Sequence, residues 1–366
     1  MARFFITNIL PEHLIKKYAL SVAACNFSYN LASGGMFDTV YSIMPYYVKG
    51  DLEKEAFTDT RYELVYNRIL RRRGKLARKI SLFVEQYTLF KLLPAKSDVW
   101  VYNMGFNFIL LYYLIQLFKP SINIYPIILD YTPEEKSLSS QLFLKIINSC
   151  KGNIRLANSD RFTCKNSIVL PGVVGQNTGN EPIITAPNNK FLLSGVLNEQ
   201  ISQLKMVIKV FSLLPSCELH ITGFISENDE ILLNEYTSRF KNIIYHGNIS
   251  YEDYLNLLHD ITFQLSTRNP GFPENQCNFP SKIIESLLHN RVVVSTISYS
   301  QLEGVRYFFV PTDEKSFYDA INNISSLQEE ELAPYYNQGS EIIKKFNTVV
   351  WTNSMQQIES NARCSQ

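Results

Sequence analysis

The 366-residue chain contains no CxxC, HxxH or DxD pair and no GxG. Each absence removes a class of chemistry. Without close Cys or His spacing no metal site is expected, and the five histidines, His13, His220, His246, His259 and His289, are far apart in sequence. Without GxG there is no dinucleotide fingerprint, which argues against a Rossmann oxidoreductase. The six scattered cysteines read as reduced thiols of a cytoplasmic protein, not as a disulfide framework. The opening MARFFITNILPEHL lacks the apolar run and cleavage site of a signal peptide and reads as a first strand. One uncharged stretch, 99–118, is long enough to span a bilayer. Asn103, Gly105 and Asn107 interrupt it, so a strand, a turn and a helix over 106–118 are expected instead.

What is present is ample core material. The chain is 46% apolar and 13% aromatic, and its length suits two domains. A net charge of +1 hides an imbalance: residues 1–176 carry +9 and the remainder −8. Such a split suggests that one lobe meets an anionic surface or substrate.

Short β-branched runs alternate with helical stretches. In the first half the strand candidates are 3–8, 39–44, 99–103, 122–129, 154–158 and 167–171, with helices near 19–33, 60–93, 106–118 and 134–149. The Asn-, Gly- and Pro-rich segment 174–189 reads as a linker. The pattern then restarts, with strands at 190–195, 217–223, 242–247, 261–266, 291–296 and 307–311. Helices near 314–326, 328–346 and 350–362 end the chain. The expected fold class is α/β, two Rossmann-like domains facing a central cleft: 1–176, then 177–346, with a C-terminal helix in 347–366.

The richest stretch for chemistry is ITFQLSTRNPGFPENQCNFPSKIIESLLHNRVVVST, 261–296. A strand runs into a polar loop and then a helix over 280–289, with Pro280 in its first turn and Asn278 or Phe279 as cap. A helix N-terminus at the carboxyl edge of a parallel sheet attracts anions, because its first N–H groups lack intrahelical partners. Ser281 adds a hydroxyl, Lys282 a point charge and Arg268 a planar fork, a set suited to a diphosphate. Glu285, a turn deeper, suits two vicinal hydroxyls of a ribose; the alternative is a solvated carboxylate paired with Lys282.

The segment FPSKIIESLLHNRVVVST resembles the nucleotide-binding helix and following strand of family 4-like glycosyltransferases of the GT-B fold, and 190–320 is similar to their donor domain. FLLSGVL resembles the glycine-bearing strand end that faces the diphosphate. CELHITG and IIYHGNISYEDYLNLL resemble the next two units, where the base is held. LANSD and IVLPGVV resemble the end of the acceptor domain. The resemblance implies that Glu285 binds ribose, that Lys282 and residues 278–281 (Asn278, Phe279, Ser281) with Arg268 hold the diphosphate, and that Gly195 allows close approach to it. It places Gly223 and Ile249 beside the base. Two departures stand out. Cys277 lies eight residues before Glu285, where relatives carry a sugar-contacting glutamate, with Glu274 as the candidate replacement; Val196 occupies an arginine place, and Lys205 follows further on.

For the acceptor, Asp130 ends a strand and is a candidate catalytic base or orienting group, the alternative being a cap for a helix starting near Pro133. Asn26 and Asn103 are acceptor candidates, with turn or helix roles equally open. The run RILRRRGKLARK, 68–79, holds seven basic residues and no acidic one. It suits an anionic membrane face or a lipid-diphosphate acceptor, against a plain solvated face. No nucleic-acid motif appears, and no nucleic-acid partner is expected.

The expected activity is therefore transfer of a sugar from a nucleoside-diphosphate sugar to a saccharide or lipid-linked acceptor, without a metal or other cofactor. The resemblance implies retention of configuration, and surface polysaccharide synthesis is the expected setting; the scattered thiols point to a cytoplasmic protein and the basic run 68–79 to a peripheral place at the inner membrane face. The alternatives are a non-catalytic GT-B-like binding protein and an inverting enzyme with Asp130 as base.

Overall fold

The computed structural model describes residues 1–10, 14–15, 18, 22–45, 48, 62–105, 108–133, 136–175 and 182–364. His13 and Asn107 lie outside the described residues. The chain divides into two compact units: Met1–Gln176 with Phe346–Gln366, and Asn177–Lys345.

The first unit is built on seven strands: β1 (Ala2–Thr7), β2 (Thr39–Ile43), β3 (Glu63–Val65), β4 (Ser97–Tyr102), β5 (Asn123–Ile128), β6 (Asn153–Arg155) and β7 (Ser167–Val169). They lie in the order β3-β2-β1-β4-β5-β6-β7, all parallel. β4 and β5 are buried along their whole length, which is why they read as continuous apolar runs rather than alternating ones. The chain builds outward from β1, then returns to build the other way from β4, so the carboxyl ends of β1 and β4 form a topological switch point.

The last helix, Thr348–Cys364, packs into this unit's core. Trp351 is fully buried there and its Nε1 donates to the Gly172 carbonyl at 2.8 Å. Glu359, also buried, accepts Nε and Nη2 of Arg3, both at 2.8 Å, and Nε1 of Trp100 at 2.9 Å. Burying a large apolar side chain contributes roughly 1.5–3 kcal/mol.

The second unit repeats the plan with β8 (Lys190–Leu197), β9 (Glu218–Ile225), β10 (Ile243–Tyr245), β11 (Phe263–Ser266), β12 (Val292–Ser295) and β13 (Phe308–Phe309), in the order β10-β9-β8-β11-β12-β13. All of these pairings are parallel. At the middle of the sheet Phe191 pairs with Phe263, their rings stacked 4.5 Å apart. Its switch point lies at the carboxyl ends of β8 and β11.

Several expected elements are divided by particular residues. The helix expected over 60–93 becomes β3, a short helix Arg68–Arg72 and a long one Lys75–Leu92, broken at Gly74 with φ +106°. The helix expected over 328–346 is cut by Pro334 and by Asn337, which sits at φ +56°; only Glu329–Leu332 and Gly339–Phe346 are α-helical. The uncharged stretch 99–118 is divided between β4 and the helix Ile109–Phe118, and no described helix is long and apolar enough to cross a membrane. Within the segment read as a linker, Ile184 is buried and exchanges hydrogen bonds with the Asn337 side chain, so the described part after 181 belongs to the second unit.

The basic run 68–79 is not one exposed face. Arg71 is fully buried, donating Nε and Nη2 to Glu85 at 2.9 and 2.6 Å and reaching the carbonyls of Pro45 and Met44. Arg78 is buried as well. Arg68, Arg72, Arg73, Lys75 and Lys79 remain exposed.

Candidate functional site

In the second unit, β8 and β9 meet at Gly195 and Gly223, which face each other in register. Both have positive φ, +111° and +140°. A Cβ on Gly223 would stand 1.9 Å from the Gly195 carbonyl oxygen, so no side chain fits there. A Cβ on Gly195 would lie 3.0 Å from Cε of Lys282. The alkyl arm of Lys282 therefore occupies the space that Gly195 leaves open.

Lys282 comes from the helix Ser281–Leu288, which connects β11 to β12. Its ammonium lies 4.5 Å from the centre of the Tyr254 ring, a cation–π contact. Burial lowers the Lys282 pKa from its ordinary value, and the charge of Glu285 works against that shift. Glu285, one turn along, is part-buried and not a solvated carboxylate: its Oε1 accepts the Tyr251 hydroxyl at 2.9 Å and its Oε2 the Tyr254 hydroxyl at 3.0 Å. Burial, followed by the Glu285 charge, holds the Tyr254 phenol well above its ordinary pKa, while a hydrogen bond with Ser194 of β8 pulls it down.

Tyr251 and Tyr254 were not among the residues singled out from the sequence. A signal for them exists. Both lie on the helix Tyr251–Asp260, capped by Ser250 whose hydroxyl accepts from Asp253 N at 3.1 Å, and an i, i+3 spacing puts both hydroxyls on one face. Nothing in that helix names Glu285, 31 residues beyond Tyr254, as their acceptor. Ile249 packs in the small cluster of Leu192, Tyr254, Leu258 and Ile261.

The loop between β11 and the Lys282 helix is knit to the loop after β8. Gln203 donates to the carbonyls of Thr267 and Arg268 at 3.1 and 3.3 Å, and Asn275 donates to Gln200 O at 2.8 Å. Arg268 in turn donates Nη1 to Asn275 Oδ1 at 3.2 Å. Glu274 and Cys277 sit on a short helix, Pro273–Cys277, closed by Asn278 N donating to Glu274 O at 2.9 Å. Asn278 is thus the C-cap of this helix and does not cap the next one. The cap position there is Pro280, at ψ +118°, and no side chain bonds to it. Phe279 is buried with its ring 4.9 Å from Tyr299, leaving its backbone as the part able to face a ligand. Ser281 is exposed. Val196 and Lys205 are both exposed, Lys205 in the first turn of the helix Leu204–Ser212.

In the first unit the acceptor candidates lie just past β4 and β5 and on the helix Val22–Ser33. Asn103 follows β4 in a left-handed turn, φ +47°, its N–H bonded to Ile127 O at 2.8 Å. Asp130 is exposed just past β5, and its charge adds to the burial that raises the Tyr102 pKa well above the ordinary value. It does not cap the next helix, which begins at Leu138 with Ser137 accepting from Ser140 N at 3.1 Å. Asn26 is part-buried on the helix Val22–Ser33, next to Phe27, whose ring stacks 5.1 Å from Tyr102.

The histidines that are distant in sequence come together in pairs: His220 Nδ1 lies 3.0 Å from His246 Nε2, and His259 Nε2 lies 2.9 Å from His289 Nδ1.

No known family profile matches the chain, and no curated protein sequence matches it. Solved structures do. The chain is similar to S. aureus TarM at 17% identity and TM-score 0.55, over 74% of this chain and 57% of that one, so it spans little more than half of TarM's length. Similarity to the lipopolysaccharide outer core galactosyltransferase WaaB covers 98% of this chain and 99% of that chain, at 12% identity and TM-score 0.60. An α,α-trehalose-phosphate synthase (UDP-forming) from Burkholderia vietnamiensis matches over 98% of this chain and 100% of its own, at 12% identity and TM-score 0.62. At such identities the likeness establishes the fold: two parallel-sheet Rossmann-like domains in tandem, the GT-B architecture.

Proposed function

We propose that the chain is a glycosyltransferase that takes a sugar from a nucleoside diphosphate and passes it, with retention of configuration, to a saccharide or lipid-linked acceptor in surface polysaccharide synthesis. The observation that carries this reading is that Lys282, beside Gly195 at the carboxyl end of β8, and Glu285, one turn along the same helix, both meet Tyr254. A cation and a carboxylate one turn apart on a helix that starts at a switch point match the two ends of a nucleoside diphosphate: pyrophosphate and ribose diol. Glu285 already accepts two hydroxyls, one on each oxygen, which is the geometry a vicinal diol demands. The UDP-forming reaction of the Burkholderia neighbour on the same fold supports a nucleoside diphosphate as the leaving group.

In this reading Lys282, Arg268 and the first turn of the Lys282 helix stabilise the charge that grows on the departing diphosphate, so electrostatics and positioning supply the catalysis. Gly223 and Ile249 would border the base, and Cys277 or Glu274 the donor sugar. Asp130 would orient the acceptor hydroxyl, with Asn26 and Asn103 contributing hydrogen bonds. The test is a thermal-shift screen against UDP, GDP, CMP and their sugars, followed by calorimetry. Glu285→Ala should weaken binding of the ligand found by at least about tenfold, the loss of one charged hydrogen-bond acceptor. Unchanged affinity would remove Glu285 from the site. The anomer formed, read by NMR, decides between retention and an inverting role for Asp130.

A further inference from the structure

The helix Lys75–Leu92 is built inside out. Its buried positions are Arg78, Ser81, Leu82, Glu85, Gln86 and Leu89, four of the six polar. Leu76, Ile80, Phe83, Val84 and Tyr87, spaced at i, i+4, i+7, i+8 and i+11, are exposed, Leu76 by 73%. A helix on the surface of a water-soluble domain normally shows the opposite arrangement. Specific bonds hold two of the inner polar side chains: Glu85 takes the Arg71 guanidinium, the Ser81 hydroxyl at 2.8 Å and Asn67 N at 3.0 Å, while Gln86 Oε1 accepts Leu111 N at 3.0 Å. The orientation is therefore fixed by specific bonds, and the apolar stripe is held outward by them.

The stripe does not end with the helix. Tyr87 lies 6.3 Å from Phe90, and Phe90 lies 6.3 Å from Phe118 at the end of the helix Ile109–Phe118. Leu117 and Phe118 are about 70% exposed. Cations border the patch: Arg73, Lys75 and Lys79 are exposed at the start of the long helix, Lys91 stands over the Tyr87 ring at 4.8 Å and Lys119 over the Phe90 ring at 4.6 Å. Between residues 64 and 97 the sequence has a single acid, Glu85, and it is buried against Arg71.

We propose that this face docks on an anionic phospholipid bilayer, with the long helix lying in the plane of the interface. The charge pattern selects this occupant. An apolar stripe with aromatic rings, edged by lysines and carrying no exposed acid among the described residues of its two helices, is complementary to a negatively charged surface with hydrocarbon beneath it. The stems of Lys75, Lys79 and Lys91 cover apolar surface while their ammonium groups reach the headgroups; the Lys119 ammonium is instead held by the carbonyls of Phe90 and Leu93, both at 2.7 Å. Neither helix is long and apolar enough to cross. The proposal is independent of the sugar-transfer reading and survives its failure.

The experiment uses the full chain with phosphatidylcholine vesicles, with and without phosphatidylglycerol, in a flotation assay. Wild-type protein should partition at least about tenfold more strongly onto the anionic vesicles, and the difference should shrink as salt rises. Two exposed pairs are then changed separately: Leu76→Glu with Ile80→Glu, and Lys75→Glu with Lys79→Glu. Each should lower partitioning by at least about tenfold at unchanged melting temperature. Equal binding to both vesicle types, or variants that bind like wild type, overturns the proposal. So does a concentration-dependent dimer in ultracentrifugation that Leu76→Glu with Ile80→Glu dissolves without affecting vesicle binding, since the face would then belong to a second copy.

Discussion

Glu359 and Glu85 of the first unit and Glu285 of the second are each gripped at both oxygens, yet by different kinds of group. Glu359 is held by the Arg3 fork and the Trp100 indole, and Glu85 by the Arg71 fork, a serine hydroxyl and a backbone amide. Glu285 is held by two neutral phenols, one of them on Tyr251, which is 40% exposed. A buried carboxylate facing a guanidinium is locked, because separating the pair strands a charge out of water. A carboxylate facing hydroxyls can trade them for other hydroxyls at little cost. The first arrangement is structural, the second suits a ligand.

The comparison breaks most readily through stability. Glu359→Ala leaves Arg3 and the Trp100 N–H without their acceptor and should cost about 3–5 kcal/mol in denaturant unfolding. Glu285→Ala should cost less, about 1–2 kcal/mol in the same assay, since it strands no guanidinium and frees two hydroxyls, one of which reaches water. If the two variants unfold alike, Glu285 is a structural group and the distinction fails.

A smaller effect concerns Lys282. Burial lowers its pKa in the folded chain below its ordinary 10.5. In the window between those values the unfolded chain holds more protons, so this lysine makes stability rise with pH there. Anion binding has the opposite sign. A diphosphate favours the charged lysine, so affinity should fall as pH climbs through the lowered folded value, by about tenfold per unit above it, with proton uptake on binding. Calorimetry in two buffers of different ionisation enthalpy measures that uptake. Lys282→Met should abolish it and weaken binding by about ten- to a hundredfold. A pH-independent affinity with no proton uptake would put the anion elsewhere.

Much of this was legible in the sequence and some was not, for physical reasons. The buried strands announce themselves because parallel strands covered on both faces are apolar throughout, as VWVY and IYPII are. Lys282 and Glu285 are legible as candidates because a strand, a Pro-marked helix start and a charged first turn are local features. Tyr251 and Tyr254 are invisible as site residues because their meaning is a contact across 31 or more positions. The basic run shows the same limit from the other side. Seven cations in twelve residues read as one exposed face, but two of them turn inward, Arg71 to meet Glu85, a partner 14 residues away. The apolar residues that then face outward are the ones a periodicity argument assigns to the core. The break at Pro334 hides for a simpler reason: its flanks carry the acidic start and basic end of a single helix.

The smallest effect gives the sharpest test of how Glu285 is poised. Two carboxylate oxygens offer about four lone-pair sites, so a diol and two phenols compete for overlapping directions. Tyr254 is buried, while Tyr251 stands exposed at the first position of its helix. In the proposed reading Tyr251 is thus the hydroxyl expected to yield to a ribose. Tyr251→Phe should strengthen nucleoside-diphosphate binding by about two- to fivefold, the worth of one neutral hydrogen bond no longer given up. Tyr254→Phe should weaken binding by a similar factor, because it lets Glu285 turn away. Opposite signs for two tyrosines three residues apart, measured as Kd values on otherwise equally stable proteins, would separate the exchangeable donor from the one that aims the carboxylate. If Tyr251→Phe also weakens binding, both phenols aim it, and Glu285 is held more like Glu359 than its neutral partners suggest.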